Sequence, residues 1–372
     1  MNREMLESTV KFCIEKVDKG METLGKLYPE SASINNVYSA IENRNWTTGF
    51  WTGMLWLAYE FTGSKKYKDL ALWQVDDFYN RIENKIEVGH HDMGFLYMPS
   101  CVAAYRLTGY EKAKEAAIMA AETLVDRFQE NGQFIQAWGE LGTKENYRLI
   151  IDCLLNIPLL FWATKITGDK KFEEIAFAHL NTSLDVVIRE DGSTFHTYYF
   201  DPKTGAPLYG KTRQGYSDDS IWTRGQAWGI YGIAIAYKYT KRLDLIEKFK
   251  KVTDVFISHL PEDDIPAWDM IFTDTKTVKD TSSSAIAVCG ILEMNKHWSV
   301  PKEYLKKSED MMNALYNECL TSDIKESNGI LKHGTYSYPD DIGVDECNIW
   351  GDFYFMEALM RNLDEDWVSY WE

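Results

Sequence analysis

Apolar residues fall along the chain in two alternating patterns. One set of segments is apolar nearly all round: "GFWTGMLWLAYEF", "GFLYMPSCVAAYRL", "IIDCLLNIPLLFWATKI", "GQAWGIYGIAIAYKY", "SSAIAVCGILEM" and "DFYFMEALMRNL". The other set is striped and charged, as in "KKYKDLALWQVDDFYNRIEN", "EKAKEAAIMAAETLVDRFQ" and "KKFEEIAFAHLNTSLDVVI". A helix apolar on every side has to be surrounded by protein, whereas a striped one covers a surface. The first set therefore predicts inner helices and the second outer ones. The joints repeat too. "FTGSKKY", "LTGYEKA" and "ITGDKKF" each close an inner segment with Gly and open an outer one with Lys, and "YTKRLDL" takes the fourth such place without the Gly. Gly is the usual residue for ending a helix in the left-handed conformation. Inner segments begin near residues 49, 94, 151, 225, 282 and 352. Outer helices follow the first five, and an N-terminal helix over roughly residues 3–24 supplies the sixth, closing the ring beside the last inner helix. Repetition of this order predicts an all-α fold, an (α/α)6 barrel of six inner and six outer helices, as one domain over residues 1–372.

The longer connections all enter inner helices from the same end, and they carry the unusual residues: "NRNWTT", "VGHHD", "QAWGELGTKENYR", "STFHTYYFDPKTGAPLYGKTRQGYSDDSIWTR" and "KHGTYSYPDDIGVDECNIWG". In the fourth, "STFHTYYF" partly alternates polar and aromatic residues before "DPKTG", the pattern of a β-hairpin. Loops gathered at one end of a rigid scaffold are where binding chemistry is expected.

Two carboxylates stand out in that setting. Asp92 and Asp152 open the second and third inner helices, each against an apolar run. Burying a carboxylate costs several kcal/mol unless it is paired or protonated. The barrel makes the two neighbours at one rim. A helix N-terminus favours the ionised form, while apolar surroundings and a second carboxylate raise the pKa of one member. Asp152, in the greasier sequence, is expected to hold the proton, and Asp92, beside His91, to be the ionised partner. Two carboxyls with separated pKa values can do acid–base work near neutral pH. The plainer alternative is that each Asp only caps its helix. His196 in the aromatic loop is placed to donate a hydrogen bond, and Arg224 before the fourth inner helix to grip a carboxylate through two parallel bonds. Gln214 and Arg213 in "KTRQG" are similar. Trp46, Trp138, Trp228 and Tyr336 stand in rim segments, where flat rings are able to form stacking walls.

Composition narrows the partner. The net charge is −17 with no long basic run, which argues against nucleic acid and anionic membrane. Six cysteines are scattered without a C-x-x-C pair, so neither a zinc site nor a disulfide framework is expected. Adjacent residues such as His90, His91 and Asp92 rarely converge on one ion, so no metal is expected. No G-x-G-x-x-G follows a strand and no cofactor is implied. The amphipathic N-terminus lacks a signal-peptide core, and no apolar run reaches the ~18 residues of a membrane span. A cytoplasmic location is expected.

Together these pieces resemble the unsaturated glucuronyl hydrolases, glycoside hydrolase family 88. The resemblance runs from "NWTTGFWTGMLWLAYEFTG" to "NIWGDFYFMEAL" and rests on "HHDMGFLY", "IIDCLLNIPLLFWA", "STFHTYYFDPKTG" and "WTRGQAWGIYG" in that order. It implies an (α/α)6 barrel without cofactor. The implied substrate is a di- to tetrasaccharide left by a polysaccharide lyase, of glycosaminoglycan type, whose non-reducing terminal uronate carries a C4=C5 double bond. It implies hydration of that enol ether, with Asp152 as the acid that protonates C4 and Asp92 as the second catalytic carboxylate. Trp46, His91, Trp138, His196, Gln214, Arg224, Trp228 and Tyr336 match positions of the family's sugar-binding set. One departure concerns sulfate. Members that prefer sulfated fragments resemble a Ser-x-x-Ser-x-Lys pattern after the last-loop tyrosine, whereas here Tyr336 precedes "SYPDDI", with Asp340 for the second Ser and Ile342 for Lys. An aspartate there is expected to disfavour sulfate. Competing readings are an unsaturated rhamnogalacturonyl hydrolase on pectin fragments, a sugar 2-epimerase working through paired histidines, and a silent sugar-binding toroid.

Overall fold

The computed structural model describes residues 1–372. Six inner helices form a closed ring. They are Thr48–Thr62, a second running through Met93–Tyr97, Met98–Val102 and Ala103–Thr108, a third through Cys153–Asn156 and Pro158–Thr167, then Thr223–Thr240, Thr281–His297 and Ile349–Leu363. Each packs on the next, and the last returns to the first. Outside them lie Arg3–Leu24, Lys65–Glu83, Glu111–Val125, Lys170–Val187, Asp244–Ser258 and Lys302–Glu318. The N-terminal helix Arg3–Leu24 packs between the last and first inner helices, so the outer ring closes as the sequence predicts.

Burial follows the two hydropathy patterns. Every residue from Thr223 to Tyr237 of the fourth inner helix is buried, whereas Lys65–Glu83 buries Tyr67, Ala71, Gln74, Val75, Phe78, Arg81 and Ile82, one face at helical spacing. The predicted joints hold as well. Gly63, Gly109 and Gly168 end their helices with φ of 67°, 68° and 77°, and Lys241 takes the same left-handed conformation at 53° without the glycine. Two inner helices are not continuous. Pro99 and Pro158 lack the N–H that an unbroken helix needs. The second inner helix absorbs this as a π turn over Met98–Val102, and the third restarts at Pro158.

The rim holds small sheets. Strands Thr197–Phe200 and Pro207–Lys211 form the hairpin expected of the fourth loop, and a third strand, Arg148–Ile150, pairs with the first of these in antiparallel register, Ile150 opposite Thr197. The bond from the Ile151 N–H to the His196 carbonyl (3.0 Å) continues the ladder to the threshold of the third inner helix. A second hairpin, Gly334–Ser337 with Ile342–Glu346, rises before the last inner helix. Buried arginines clamp these loops. Arg81 donates to the carbonyls of Arg44, Asn45, Ile86 and Glu87, and Arg127 to those of Gly89, Gln136 and Gly139. Each guanidinium ties two consecutive rim loops together, which fixes the segments bearing Trp46, His90–His91 and Trp138. No helix is long and apolar enough to cross a membrane.

Candidate active site

The rim loops enclose a cleft of about 620 Å³, within the ~300–1,000 Å³ of small-molecule sites. Asp92, Asp152, Trp46, Trp138, His196, Gln214 and Tyr336 all line it.

Asp92 and Asp152 each stand at the N-cap of an inner helix, yet neither side chain accepts a helical N–H. Capping therefore does not explain them. Ligand atoms of His91, Asp92 and Asp152 lie within 4.8 Å of one another. His91 Nε2 is 3.4 Å from Asp92 Oδ1 and 3.5 Å from Asp152 Oδ1. The Asp152 side chain keeps 16% of its surface exposed, while that of Asp92 keeps 3%. Burial, reinforced by the negative charge of Asp92, raises the pKa of Asp152 well above the carboxylate range. Burial pushes Asp92 the same way, but His91, His90 and Trp138 outweigh it and hold its carboxyl below the usual value. Burial lowers His91 to about 4, so that ring is neutral at pH 7 and the histidine charge contributes only in acid. At neutral pH Asp92 keeps the Trp138 contact and the positive end of its helix. The pair thus rests as one anion and one acid.

The histidines differ in state. His90 Nδ1 accepts the Asp92 N–H (3.1 Å) and its Nε2 faces the Glu87 carbonyl (3.1 Å), so both ring nitrogens are engaged. A ring bonded on both nitrogens has no free lone pair for an epimerase-type base. His196 stacks on Trp222 (4.1 Å), burial lowers its pKa to about 3, and its Nδ1 accepts the Arg213 and Gln214 N–H groups. Its proton sits on Nε2, the ring's remaining donor. Trp138 lies flat on His90 at 4.2 Å and is 39% exposed. Trp46 donates its indole N–H to Tyr336 Oη at 3.0 Å and stacks on Trp350.

Three residues expected to touch sugar are placed otherwise. Trp228 is 1% exposed and packs on Phe95 and Tyr354 in the inner wall, because its helix is enclosed on all sides. His91 is also 1% exposed and meets the two aspartates rather than the open cleft. Arg224 has its terminal nitrogens engaged. Nη1 donates to Asp280 and the Thr335 carbonyl, and Nη2 to Gln214 Oε1 and the Tyr336 carbonyl (2.7 Å). Its partners are the buried Asp280 carboxylate and two cleft residues, which leaves no free fork for the carboxylate of a bound molecule. Of the adjacent His90, His91 and Asp92, the last two do converge with Asp152 closely enough to share an ion, while His90 does not join them. An ion there would have to displace the Asp152 proton, because carboxylate ligands bind metal deprotonated.

The cleft also contains residues that the sequence reading passed over, among them Glu145, Asn146, Arg148, Tyr199 and Lys211. For Arg148 and Tyr199 the only signal was a faint strand alternation: Arg148, Ile150 and Asp152 sit two apart and all face the cleft, as do Thr197 and Tyr199. Arg148, Lys211 and Arg213 supply local positive charge in an acidic chain.

Known proteins share this arrangement from end to end. An unsaturated chondroitin disaccharide hydrolase of Streptococcus agalactiae is 50% identical over 371 residues, 98% of this chain and 93% of that protein. The crystal structure of an unsaturated glucuronyl hydrolase from the same species superposes with a TM-score of 0.97 at 48% identity, covering 100% of this chain and 94% of that one. A variant of that enzyme solved with dGlcA-GalNAc6S superposes with a TM-score of 0.88 at 44% identity over 98% of this chain and 93% of its own. The model of Glycosyl Hydrolase Family 88 matches residues 19–364, and the chain belongs to that family of glycosidases.

Proposed function

We propose that this protein is an unsaturated glucuronyl hydrolase that removes the 4,5-unsaturated uronate from the non-reducing end of lyase-generated glycosaminoglycan fragments of two to four sugars. The observation that carries this reading is the cleft-facing acid Asp152 with the anion Asp92 beside it, their oxygens within 4.8 Å. An enol ether is hydrated by adding a proton to C4, which leaves positive charge shared by C5 and the ring oxygen. Asp152 gives that proton, and Asp92 steadies the charge. Water then adds at C5 and returns its proton to Asp152. The hemiketal opens to a C5 ketone, and the hemiacetal left at C1 collapses to an aldehyde and the freed sugar. The anomeric carbon is never attacked, so the carboxylate-separation rule for retaining and inverting glycosidases does not apply. Trp46 and Trp138 offer stacking faces, and His196 and Gln214 offer polar contacts to the uronate.

Asp340 lies at the cleft, accepts from Ser337 Oγ at 2.7 Å and stands 3.5 Å from Arg213 Nε. A sulfate at that place meets a carboxylate, which supports a preference for unsulfated fragments. Six buried cysteines without a disulfide support a reducing, cytoplasmic setting. The test is loss of alkene absorbance with unsaturated disaccharides from hyaluronan, chondroitin, heparin and pectin. The reading expects turnover of a glycosaminoglycan disaccharide without sulfate. Turnover of the pectin disaccharide alone would transfer the activity to rhamnogalacturonan, and turnover of none would refute it.

A further inference from the structure

Asn156 lies one helical turn beyond Asp152 and is 1% exposed. Its amide is divided between two inner helices. Oδ1 accepts the backbone N–H of Phe95 at 2.9 Å, and Nδ2 donates to Asp92 Oδ1 at 3.3 Å and to the Asp152 carbonyl at 3.2 Å. The helices touch backbone to backbone here. A Cβ on Gly94 would lie 2.4 Å from Asn156 Cα and 2.7 Å from its carbonyl oxygen.

The Phe95 N–H is the third of the second inner helix, one of the donors that an N-terminus leaves without an intrahelical partner. The residue at the N-cap ordinarily takes that N–H with its own side chain, and Asp is among the best at it. Asp92 does occupy the N-cap, since its carbonyl accepts the Leu96 N–H at 3.1 Å. Its carboxylate nevertheless caps nothing. We infer that Asn156 is a positioning residue that caps the second inner helix from the third, and so releases the Asp92 carboxylate to face Asp152 and the cleft. The side chain on offer to Phe95 decides which way Asp92 points. This inference rests on the reading of Asp92 and Asp152 as the reacting pair.

The test replaces the amide by an apolar group of similar size, Asn156→Leu. Phe95 then lacks its acceptor, and the side chain at the N-cap, the Asp92 carboxylate, is the ordinary substitute. A crystal structure of the variant should show Asp92 bonded to the Phe95 N–H. On an unsaturated disaccharide that the wild type turns over, kcat should fall by about 100-fold, the cost of a misplacement on the order of 1 Å. KM should change less than kcat, because Trp46, His196 and Gln214 make no bond to Asp92 or Asn156. A further signature separates positioning from mere stability. Asp152 faces Asp92 and His91 from the second inner helix and the Arg224 charge from the fourth. Turning Asp92 away removes repulsion, so the alkaline limb of the pH–rate profile should move to lower pH. Asn156→Ala removes the same bonds and is read identically if the leucine variant does not fold. Wild-type kcat in either variant would overturn the inference. So would a lower Tm and kcat with an unmoved alkaline limb and an unmoved Asp92. Inactivity of the wild type on every substrate would refute the proposed function instead, and the Asp92 conformer in the variant would still decide the role of Asn156.

Discussion

Asp92→Asn removes one charge from a coupled pair without changing its shape, and its consequence can be worked from the geometry. The two carboxyl groups approach within 4.8 Å. At an effective dielectric of roughly 20, two unit charges at that separation repel by about 3 kcal/mol. Charge spread over both oxygens and partial access to water reduce this to about 2 kcal/mol, equivalent to more than one pH unit. Ionising Asp152 in the wild type has to overcome that repulsion as well as burial. In Asp92→Asn only burial remains. The sign follows: activity needs Asp152 protonated, so it is lost as pH rises through the pKa of Asp152, and the variant loses it at lower pH. The assay is residual kcat/KM against pH on an unsulfated unsaturated disaccharide. Infrared difference spectra of the carboxylic acid C=O stretch, assigned by its absence in Asp152→Asn, provide a readout independent of turnover. The reasoning expects that band at neutral pH in the wild type and its titration more than one unit lower in Asp92→Asn. A band absent from the wild type at neutral pH, or one that titrates unchanged in the variant, would refute it.

Arg224→Lys replaces a planar fork by a point charge that cannot serve Asp280, Gln214 and two carbonyls together. Losing one charged bond of ~1.5–3 kcal/mol should lower Tm and raise KM by about tenfold through Gln214 and Tyr336, with a smaller effect on kcat, read by steady-state kinetics and calorimetry. Asp340→Asn should raise the turnover of 6-sulfated relative to unsulfated unsaturated chondroitin disaccharide by about fivefold, the ~1 kcal/mol repulsion of two charges near 4 Å in water. A wild type that already prefers the sulfated substrate would remove the argument from Asp340.

The barrel was legible because its two helix types differ in periodicity, and hydropathy period depends only on which faces meet water. The Gly–Lys joints made the repeat visible, and Lys241 shows that position in the repeat, rather than the glycine, fixes the left-handed ending. The carboxylate pair was legible for a related reason: Asp among Leu and Ile is costly, so its position carries information. What escaped was contact across the rim. Arg148–Ile150 is a short strand defined by its partner 49 residues away in sequence, Leu149 opposite Tyr198, and a three-residue strand has too few positions for alternation to stand out. The hairpin Gly334–Ser337 with Ile342–Glu346 contains left-handed residues at Asp341 and Gly343, and its "YPDD" turn masks the strands on either side. Arg224 and Trp228 were misplaced because residue type announces what a side chain can bind, not whether neighbouring loops bind it first. Asn156 was unremarkable in sequence, since its bonds to Phe95 and Asp92 span 61 and 64 residues.

The central claim is that a neutral Asp152 hands its proton to a sugar alkene. The direct measurement is decay of the alkene absorbance of an unsaturated disaccharide with wild type and Asp152→Asn, alongside calorimetric binding of the same disaccharide to both. The account predicts rapid decay with the wild type, none with the variant, and binding of similar strength in each. Decay with Asp152→Asn at a rate near that of the wild type would contradict it.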